Sequence, residues 1–289
     1  AVDVATGNTE GIFGYGDDDS RASMTNLVSN AGVVATDVTG VGTPRKYLTA
    51  CEYGGDKAIF GFGNAGAGLT AVTNLVTNAG VVGTDVAGVG TARAYLAACS
   101  YGGDKGIFGF GDDGSDVGMT NLVSNAGVVA SDVAAVGTAR NRPAACEYGG
   151  DKAIFGFGDD GSACDITNLV SNAGVVASDV TGVGTARYGL AACGYGYDRG
   201  IFGYGAPGPV SMTNLVSNAG VVAADVAGVG TARYYLAATQ YGYDKGIFGF
   251  GYSGGHFSMT NLVSNVGVVG TDVTGVGTAR RYLGACSFN

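Results

Sequence analysis

Three short acidic segments carry the most obvious ligand chemistry in this chain. They contain Asp17, Asp18 and Asp19; Asp112, Asp113 and Asp116; and Asp159, Asp160 and Asp165. Carboxylate oxygens are hard donors that suit Ca²⁺, but none of these segments has the spacing of a complete calcium-binding loop. Ca²⁺ at the acidic loops is therefore one reading, and apart from it we expect no cofactor and no metal site.

A fourth segment, residues 252–257, holds the only histidine of the chain, His256, between Tyr252 and Phe257. Exposed aromatic rings stack on sugars and anchor protein partners, so this segment is a candidate contact surface.

Catalytic motifs are not evident. His256 has no nucleophile or orienting acid close to it in sequence. Gly61-Phe62-Gly63 is followed by no helical pattern, which argues against a phosphate-binding motif. We therefore predict a protein that is not an enzyme.

These segments occupy the same place in a unit that recurs six times. The Ile-Phe-Gly core of the unit begins at Ile12, Ile59, Ile107, Ile154, Ile201 and Ile247, so successive spacings are 47, 48, 47, 47 and 46 residues. A fixed period of this length indicates a propeller or a solenoid. In the second unit, short apolar runs cover 47–53, 57–62, 73–78 and 81–84, with turn residues between them. Four short strands per period is the pattern of a propeller blade.

The sequence thus predicts an all-β fold, a six-bladed β-propeller with four antiparallel strands per blade, as one domain over 1–289. The first unit begins with a poor strand copy at 1–6, whereas 281–288 is a good one. Phe288 falls where Tyr53, Tyr101, Tyr148, Tyr195 and Tyr241 fall in the other copies. We expect the last strand to complete the first blade, which would remove an open sheet edge, with residues 1–6 beside or outside it.

The loop between the second and third strands differs in every unit. Propeller topology would put these loops on the same face as the links between blades, where loops on a rigid scaffold vary and bind. Drift on a tolerant surface is one reading, and a recognition face for a protein or glycan is the other. The candidate ligand-binding residues are Asp17, Asp18, Asp112, Asp113, Asp159, Asp160, Tyr252, His256 and Phe257.

One arginine precedes the first strand of each unit. These are Arg45, Arg93, Arg140, Arg187, Arg233 and Arg280. In one reading each pairs with a carboxylate or with carbonyls between blades, and the recurrent aspartates Asp37, Asp85, Asp132, Asp179, Asp225 and Asp272 are the candidate partners. In the other reading the arginines form an anion-binding ring at the mouth of the central channel.

Charge and cysteine usage limit the setting of the protein. The net charge of −9 disfavours nucleic acid as a partner, and no apolar run is long enough for a membrane span. Five of the six cysteines share one register of the first strand and are expected to be buried and too far apart for disulfides, whereas Cys164 lies in a loop as a candidate exposed thiol. Unpaired cysteines indicate synthesis in a reducing cytoplasm. The chain starts at Ala1 without Met, so either an initiator Met or a leader was removed.

The string Thr-Ala-Arg, an apolar strand, Gly-Gly-Asp-Lys, Ile-Phe-Gly-Phe-Gly and Thr-Asn-Leu-Val resembles a Kelch-type propeller repeat in all six copies. It departs from that family in having Gly-x-Gly, as at Gly61 and Gly63, and in lacking tryptophan. The near-identical repeats also resemble predicted proteins of bacteriophages, which would imply a virion or extracellular surface location and contacts with other virion proteins. A lectin with one sugar site per unit is the alternative, a metal-dependent enzyme ranks below it, and the repetition leaves an engineered origin open.

Overall fold

The computed structural model describes residues 9–289, and this part of the chain is entirely β-structure and turns without a helix. It accordingly contains no helix that could cross a membrane. The twenty strands are β1 (Glu10–Asp17), β2 (Arg21–Val28), β3 (Thr49–Tyr53), β4 (Lys57–Gly61), β5 (Asn64–Ala65), β6 (Gly68–Leu69), β7 (Thr73–Val76), β8 (Ala97–Tyr101), β9 (Lys105–Gly109), β10 (Thr120–Val123), β11 (Ala144–Tyr148), β12 (Lys152–Asp159), β13 (Ala163–Val170), β14 (Ala191–Tyr195), β15 (Arg199–Gly205), β16 (Val210–Val216), β17 (Ala237–Tyr241), β18 (Lys245–Gly249), β19 (Thr260–Val263) and β20 (Gly284–Phe288).

Eighteen of these strands form six small antiparallel sheets of three strands, and β5 pairs with β6 in a short extra hairpin. In order around the molecule the sheets are β20-β1-β2, β3-β4-β7, β8-β9-β10, β11-β12-β13, β14-β15-β16 and β17-β18-β19. We number them one to six and call the first strand of each the inner strand. Each repeat of the sequence therefore supplies one sheet, as the periodicity predicts.

The first sheet joins the two ends of the described chain. The C-terminal strand β20 pairs with β1, so that Phe288 lies opposite Glu10 and Gly284 opposite Gly14. The backbone N–H of Thr9 also donates to the carbonyl of Asn289 at 2.9 Å. The prediction that the last strand completes the first sheet is confirmed. The expected position of residues 1–6 lies outside the described residues.

The fourth strand predicted for each unit is not continuous. In the second unit this segment meets β7 through two isolated bridges, Val76 with Val82 and Thr73 with Val86. A regular antiparallel ladder that pairs Val76 with Val82 would put residue 85 opposite Thr73, so one extra residue interrupts the pairing. The side-chain amide of Asn74 fills the interruption by donating to the carbonyl of Gly83 at 3.0 Å. Each main sheet therefore has three strands and a loosely paired outer segment.

The hydrophobic core lies between neighbouring sheets. Sheet six packs against sheet one, so the series of interfaces between sheets is closed. Each interface contains one aromatic pair with ring centroids 5.1–5.2 Å apart. The pairs are Tyr15–Phe60, Phe62–Phe108, Phe110–Phe155, Phe157–Phe202, Tyr204–Phe248 and Phe250–Phe13. The sheets approach closely here, because a Cβ added at Gly61 would lie 2.8 Å from the ring of Phe108.

Candidate binding site at the axial cavity

The inner strands of all six sheets surround one cavity. Its volume is about 120 Å³, and below the mouth its walls are mainly alanine and leucine. A second cavity of about 50 Å³ follows toward the other end of the inner strands. The two share a girdle of six alanines, Ala50, Ala98, Ala145, Ala192, Ala238 and Ala285. The molecule therefore has an axial cavity with a wider and a narrower part.

The mouth of the wider part is built from one residue per unit, which lies two residues after the recurrent arginine of that unit. These mouth positions are Tyr47, Tyr95, Arg142, Gly189, Tyr235 and Tyr282. The backbone N–H of each donates to the carbonyl of the preceding one, and Tyr47 donates to Tyr282, with N···O distances of 2.7–3.1 Å. Six hydrogen bonds thus form a closed ring around the axis.

All six mouth positions have a left-handed backbone, with φ between 53° and 62°. This conformation costs roughly 1–2 kcal/mol for a residue that carries a Cβ. Glycine avoids that cost, yet five of the six positions carry a large side chain. Backbone strain of this kind persists where the surrounding structure supports it and is frequent at functional sites. Here the hydrogen-bonded ring supplies the support.

The mouth side chains form an arc of groups in contact with one another. Ring centroids are 4.2 Å apart for Tyr235 and Tyr282, 4.3 Å for Tyr282 and Tyr47, and 4.1 Å for Tyr47 and Tyr95. The guanidinium carbon of Arg142 lies 4.6 Å from the centroid of Tyr95 and ends the arc. All five side chains are half-buried. Each presents a polar tip and part of an aromatic or cationic surface at the mouth, which is typical of interface residues.

Burial raises the pKa of Tyr95, Tyr235 and Tyr282 above the ordinary tyrosine value. These hydroxyls therefore stay protonated at neutral pH and can both donate and accept hydrogen bonds. The mouth offers an uncharged hydroxyl surface with a single guanidinium, that of Arg142, among the residues that line the cavity.

The variable loops flank this mouth. The residue just before each mouth position forms a β-bridge with the start of the variable loop of the same sheet, as Lys46 does with Asn64 and Tyr234 with Tyr252. The same bridge joins Asp17 to Arg281, Ala94 to Asp112, Asn141 to Asp159 and Tyr188 to Ala206. The structure therefore places the variable loops and the cavity mouth on one face, which we call the mouth face.

Asp17 is not an exposed ligand. Its side chain is buried, and its Oδ2 lies 3.2 Å from Nζ of Lys46 and 3.5 Å from Nε of Arg281. Lys46 and Arg281 precede mouth positions in two different sheets, so Asp17 ties those sheets together at the mouth. The negative charge of Asp17 is balanced by these two cationic side chains.

The other acidic side chains mostly cap their own loops. Asp18 accepts from the hydroxyl of Ser20 at 2.8 Å, and Asp112 accepts from the backbone N–H of Gly114 at 2.8 Å. Asp113, Asp159 and Asp160 accept from residues two positions later in the same way. Within residues 9–289 no group of three or more His, Cys, Asp or Glu side chains is arranged to hold a metal ion. Binding of Ca²⁺ at the acidic loops stays a prediction.

The loop with the histidine lies beside the mouth. The ring of Tyr252 contacts Tyr234 at 5.8 Å and lies 4.4 Å below the guanidinium carbon of Arg281. His256 packs 5.4 Å from Tyr252, and its Nδ1 lies 3.9 Å from Asp19 of the neighbouring sheet's loop. Phe257 is half-buried and contributes backbone hydrogen bonds, accepting from Arg280 at 3.2 Å. Of this loop, Tyr252 is the member closest to the mouth contacts.

The predicted arginine ring at the channel mouth is wrong. Arg280 is fully buried and donates from Nε to the carbonyl of Tyr15 at 2.8 Å. Its Nη1 donates to the carbonyl of Thr278 at 3.1 Å and its Nη2 to Oδ1 of Asn26 at 2.7 Å. The guanidinium carbon lies 4.3 Å from the ring centroid of Phe250 in the adjacent sheet. The arginine therefore sits between sheets, outside the cavity.

The other five arginines occupy the same place and are buried as well. Arg93, Arg140, Arg187 and Arg233 repeat all three hydrogen bonds, whereas Arg45 keeps the one to Asn74. None of the six is among the residues that line the cavity. These contacts support the reading in which each arginine pairs with a carboxylate and with backbone carbonyls.

The recurrent aspartates complete this network. Oδ1 of Asp37 lies 3.9 Å from Nη1 of Arg280, and its carboxylate accepts from Thr278 and Asn26. Burial alone would raise the pKa of Asp37, but these hydrogen bonds and the charge of Arg280 hold it below the ordinary value. Burial lowers the pKa of Arg280 to about 10, so it remains charged at neutral pH. The pair is ionised and internally satisfied.

Two half-buried glutamates at the narrow end of the cavity were not predicted. Glu52 and Glu147 line it together with Gln240 at the equivalent position, and Ser100 and Ser287 stand between them. The hydroxyl of Ser287 donates to Glu52. Burial raises the pKa of Glu147 to about 7, and burial and the neighbouring Glu147 raise that of Glu52. The signal in the sequence was a charged residue inside a strand that is otherwise alanine, cysteine and threonine.

All six cysteines are free and buried, as the common register of five of them predicted. Cys164 differs from its prediction, because it lies within β13 and is not in an exposed loop. Burial raises its pKa to about 11, so it is a thiol and not a thiolate at neutral pH. It does not form a reactive site.

Comparison of the chain with known protein families finds no matching family model, and comparison with curated proteins finds no match either. The resemblance to Kelch-type repeats and to bacteriophage proteins therefore stays a prediction. The assignment of a function depends on the geometry of the mouth face.

Proposed function

We propose that the protein is a six-bladed β-propeller that acts as a non-enzymatic recognition module, binding a glycan or a protein through its mouth face. The propeller is supported by six sheets that pack in cyclic order and by the ring of six backbone hydrogen bonds at the mouth. A sheet that packs only on its two neighbours is the arrangement expected of blades.

One observation supports the recognition role above all others. Tyr47, Tyr95, Tyr235 and Tyr282 are half-exposed and held in a backbone conformation that is costly for a tyrosine. The core does not need these rings, because Gly189 occupies the same position in the fifth sheet. Tyrosines that are rigid, partly exposed and surrounded by variable loops have the properties of binding hot spots.

The alternative lectin with one sugar site per unit requires six equivalent pockets. The six arginines and six asparagines that recur in every unit, represented by Arg280 and Asn26, are buried between sheets. The mouth positions, which face a ligand, differ among units. We therefore favour one site shared by all six sheets.

The proposed location on a virion or extracellular surface is tested separately, by whether the protein copurifies with virus particles or cell envelopes.

The binding role is tested with glycan and peptide arrays. Tyr47→Ala and Tyr95→Ala should each weaken binding about ten-fold or more, as hot-spot aromatic residues do. Tyr197→Ala and Tyr243→Ala are matched controls, since these exposed tyrosines lie at hairpin tips at the far end of the inner strands. Binding that survives the two mouth substitutions and is lost on either control substitution would refute the assignment of the mouth face.

A further inference from the structure

The outer edge of each sheet exposes apolar side chains. The outer segment of every unit contains a stretch that begins with Val-Val and ends with Asp-Val. We call these stretches the outer edge segments, and they cover 33–38, 81–86, 128–133, 175–180, 221–226 and 268–273. The first valine of each is 60–64 % exposed and the last is 45–49 % exposed. Single exposed valines are ordinary on a protein surface, but here they recur in every unit, whereas the exposed variable loops of the same units differ.

The outer edge segments also have backbone groups without partners. In the first unit, the backbone N–H groups of Ala35 and Val38 donate to carbonyls of β2, each at 2.8 Å. Within residues 9–289 the backbone N–H and C=O groups of Val34 and Thr36 form no hydrogen bond. Because these two residues alternate with Ala35 along the segment, their backbone groups face away from β2. Such an edge can pair with a strand of another chain, and proteins commonly protect it with lysine or proline. The six outer edge segments contain no lysine, arginine or proline.

The distribution of charge favours a second copy of this chain as the partner of these edges. The net charge of −9 makes copies of the chain repel one another, and three variable loops of the mouth face carry several carboxylates. Each outer edge segment has one charged residue, the recurrent aspartate. Its carboxylate is bonded within the chain, as that of Asp37 is to Asn26 and Thr278. Two outer edges therefore approach each other with less electrostatic repulsion than two mouth faces do.

We propose that the outer edge segments are contacts between copies of this chain, in which two segments pair as antiparallel strands. In the first unit, Val34 of one copy lies opposite Thr36 of the second copy, so that the free backbone groups of both residues are paired. This arrangement has two-fold symmetry about Ala35, which is the usual symmetry of a contact between identical surfaces. The inference is independent of the proposed function, because it concerns the outer edges and not the mouth face.

A disulfide cross-link tests the register of this contact. All six native cysteines are buried, so a cysteine introduced at the surface is the only accessible thiol. Ala35→Cys places a thiol at the centre of the proposed pair, where the Cα atoms of opposite residues are about 4.5 Å apart, within reach of a disulfide bond. Oxidation of this variant with diamide should give a covalent dimer, whereas Tyr197→Cys, at an exposed hairpin tip, should stay monomeric. Absence of a dimer from Ala35→Cys, or equal yields from the two variants, would overturn the proposal.

Sedimentation velocity over a range of protein concentrations measures the association itself. The unaltered chain should sediment faster as its concentration rises. A variant with lysine in place of the first valine of each segment should lose this association, because lysine on an edge opposes pairing. Its substitutions are Val33→Lys, Val81→Lys, Val128→Lys, Val175→Lys, Val221→Lys and Val268→Lys.

The matched control adds the same charge at one exposed position in each variable loop and should associate as the unaltered chain does. Its substitutions are Ser20→Lys, Ala67→Lys, Ser115→Lys, Ser162→Lys, Pro209→Lys and Gly255→Lys. A monomeric unaltered chain at every concentration overturns the proposal, as does association that the valine variant retains or the control loses. Circular dichroism shows whether both variants fold, and the single substitution Ala35→Cys decides the question if the valine variant does not.

Discussion

Nη2 of Arg280 donates a hydrogen bond to Oδ1 of Asn26 at 2.7 Å, across 254 residues of sequence. Arg280 leads into the last strand and Asn26 lies in β2, so this contact is formed within sheet one only when the C-terminal segment has joined the N-terminal hairpin. The same contact within the other sheets spans 27–29 residues. The C-terminal segment is thus attached to sheet one by the same arginine–asparagine hydrogen bond that is present in each of the other five sheets.

Arg280→Leu should lower the free energy of unfolding by about 3–5 kcal/mol, because it leaves the buried Asn26 without its donor and Asp37 without the positive charge beside it. Arg21→Leu removes an exposed arginine that is bonded to the half-buried Asn64, and should change stability by less than about 0.5 kcal/mol. Chemical denaturation of the two variants measures both values. Equal and small effects would contradict a structural role for the buried arginines.

Phe288→Ala tests the closure of the first sheet through packing. Phe288 is fully buried in β20 and packs with Phe60 and Val76 of sheet two. We expect a loss of about 3–5 kcal/mol, similar to other truncations of buried phenylalanine. The adjacent, exposed Asn289→Ala should have little effect. A loss below about 1 kcal/mol for Phe288→Ala would show that the last strand contributes little to the fold.

The repeat made much of this fold predictable. Six copies gave six sheets, and the match of Phe288 to Tyr53 and its counterparts predicted where the last strand pairs. The outer segment was harder, because its valines and threonines have strand propensity but one extra residue and the Asn74 side chain interrupt the ladder. Sequence patterns report propensity, whereas an irregular register depends on tertiary contacts.

The site was less predictable than the fold. Arg280 and Tyr282 are two residues apart, yet the arginine is buried between sheets while the tyrosine faces the mouth. A left-handed backbone at the tyrosine produces this difference, and its φ of 57° is not evident from the sequence, since left-handed tyrosines are uncommon. The sequence offered one signal for the mouth position. Tyrosine, arginine or glycine occurs there in different units, whereas most of the repeat is nearly constant.

Tyr197→Gly and Tyr243→Gly should each raise the free energy of unfolding by about 1 kcal/mol. Both tyrosines have a φ of 72°, and Gly55, Gly103 and Gly150 occupy the equivalent turn position with φ of 78–79°. Glycine adopts this conformation without the steric cost that a Cβ brings. The reverse change, Gly55→Tyr, should destabilise by a similar amount although the space around it is open. Thermal denaturation of the three variants checks the prediction, and a lower melting temperature for both glycine variants would contradict it.

The pair of glutamates at the narrow end of the cavity should make stability depend on pH. Burial raises the pKa of Glu147 from 4.5 to about 7, so the folded protein holds this proton more tightly than the unfolded chain does. The stabilisation is complete below about pH 4.5 and is lost as the pH rises through about 7; for Glu147 its size is on the order of 3 kcal/mol.

Glu147→Gln should therefore flatten the decline of the free energy of unfolding between pH 4.5 and 7. Glutamine fits this place, because Gln240 occupies the equivalent position in the sixth sheet. The converse substitution, Gln240→Glu, adds a third carboxylate to the narrow cavity and should make the decline steeper. Urea denaturation at closely spaced pH values measures the slopes. Identical slopes for the unaltered chain and the two variants would mean that these carboxyl groups titrate as they do in water, contrary to their burial against one another in the cavity.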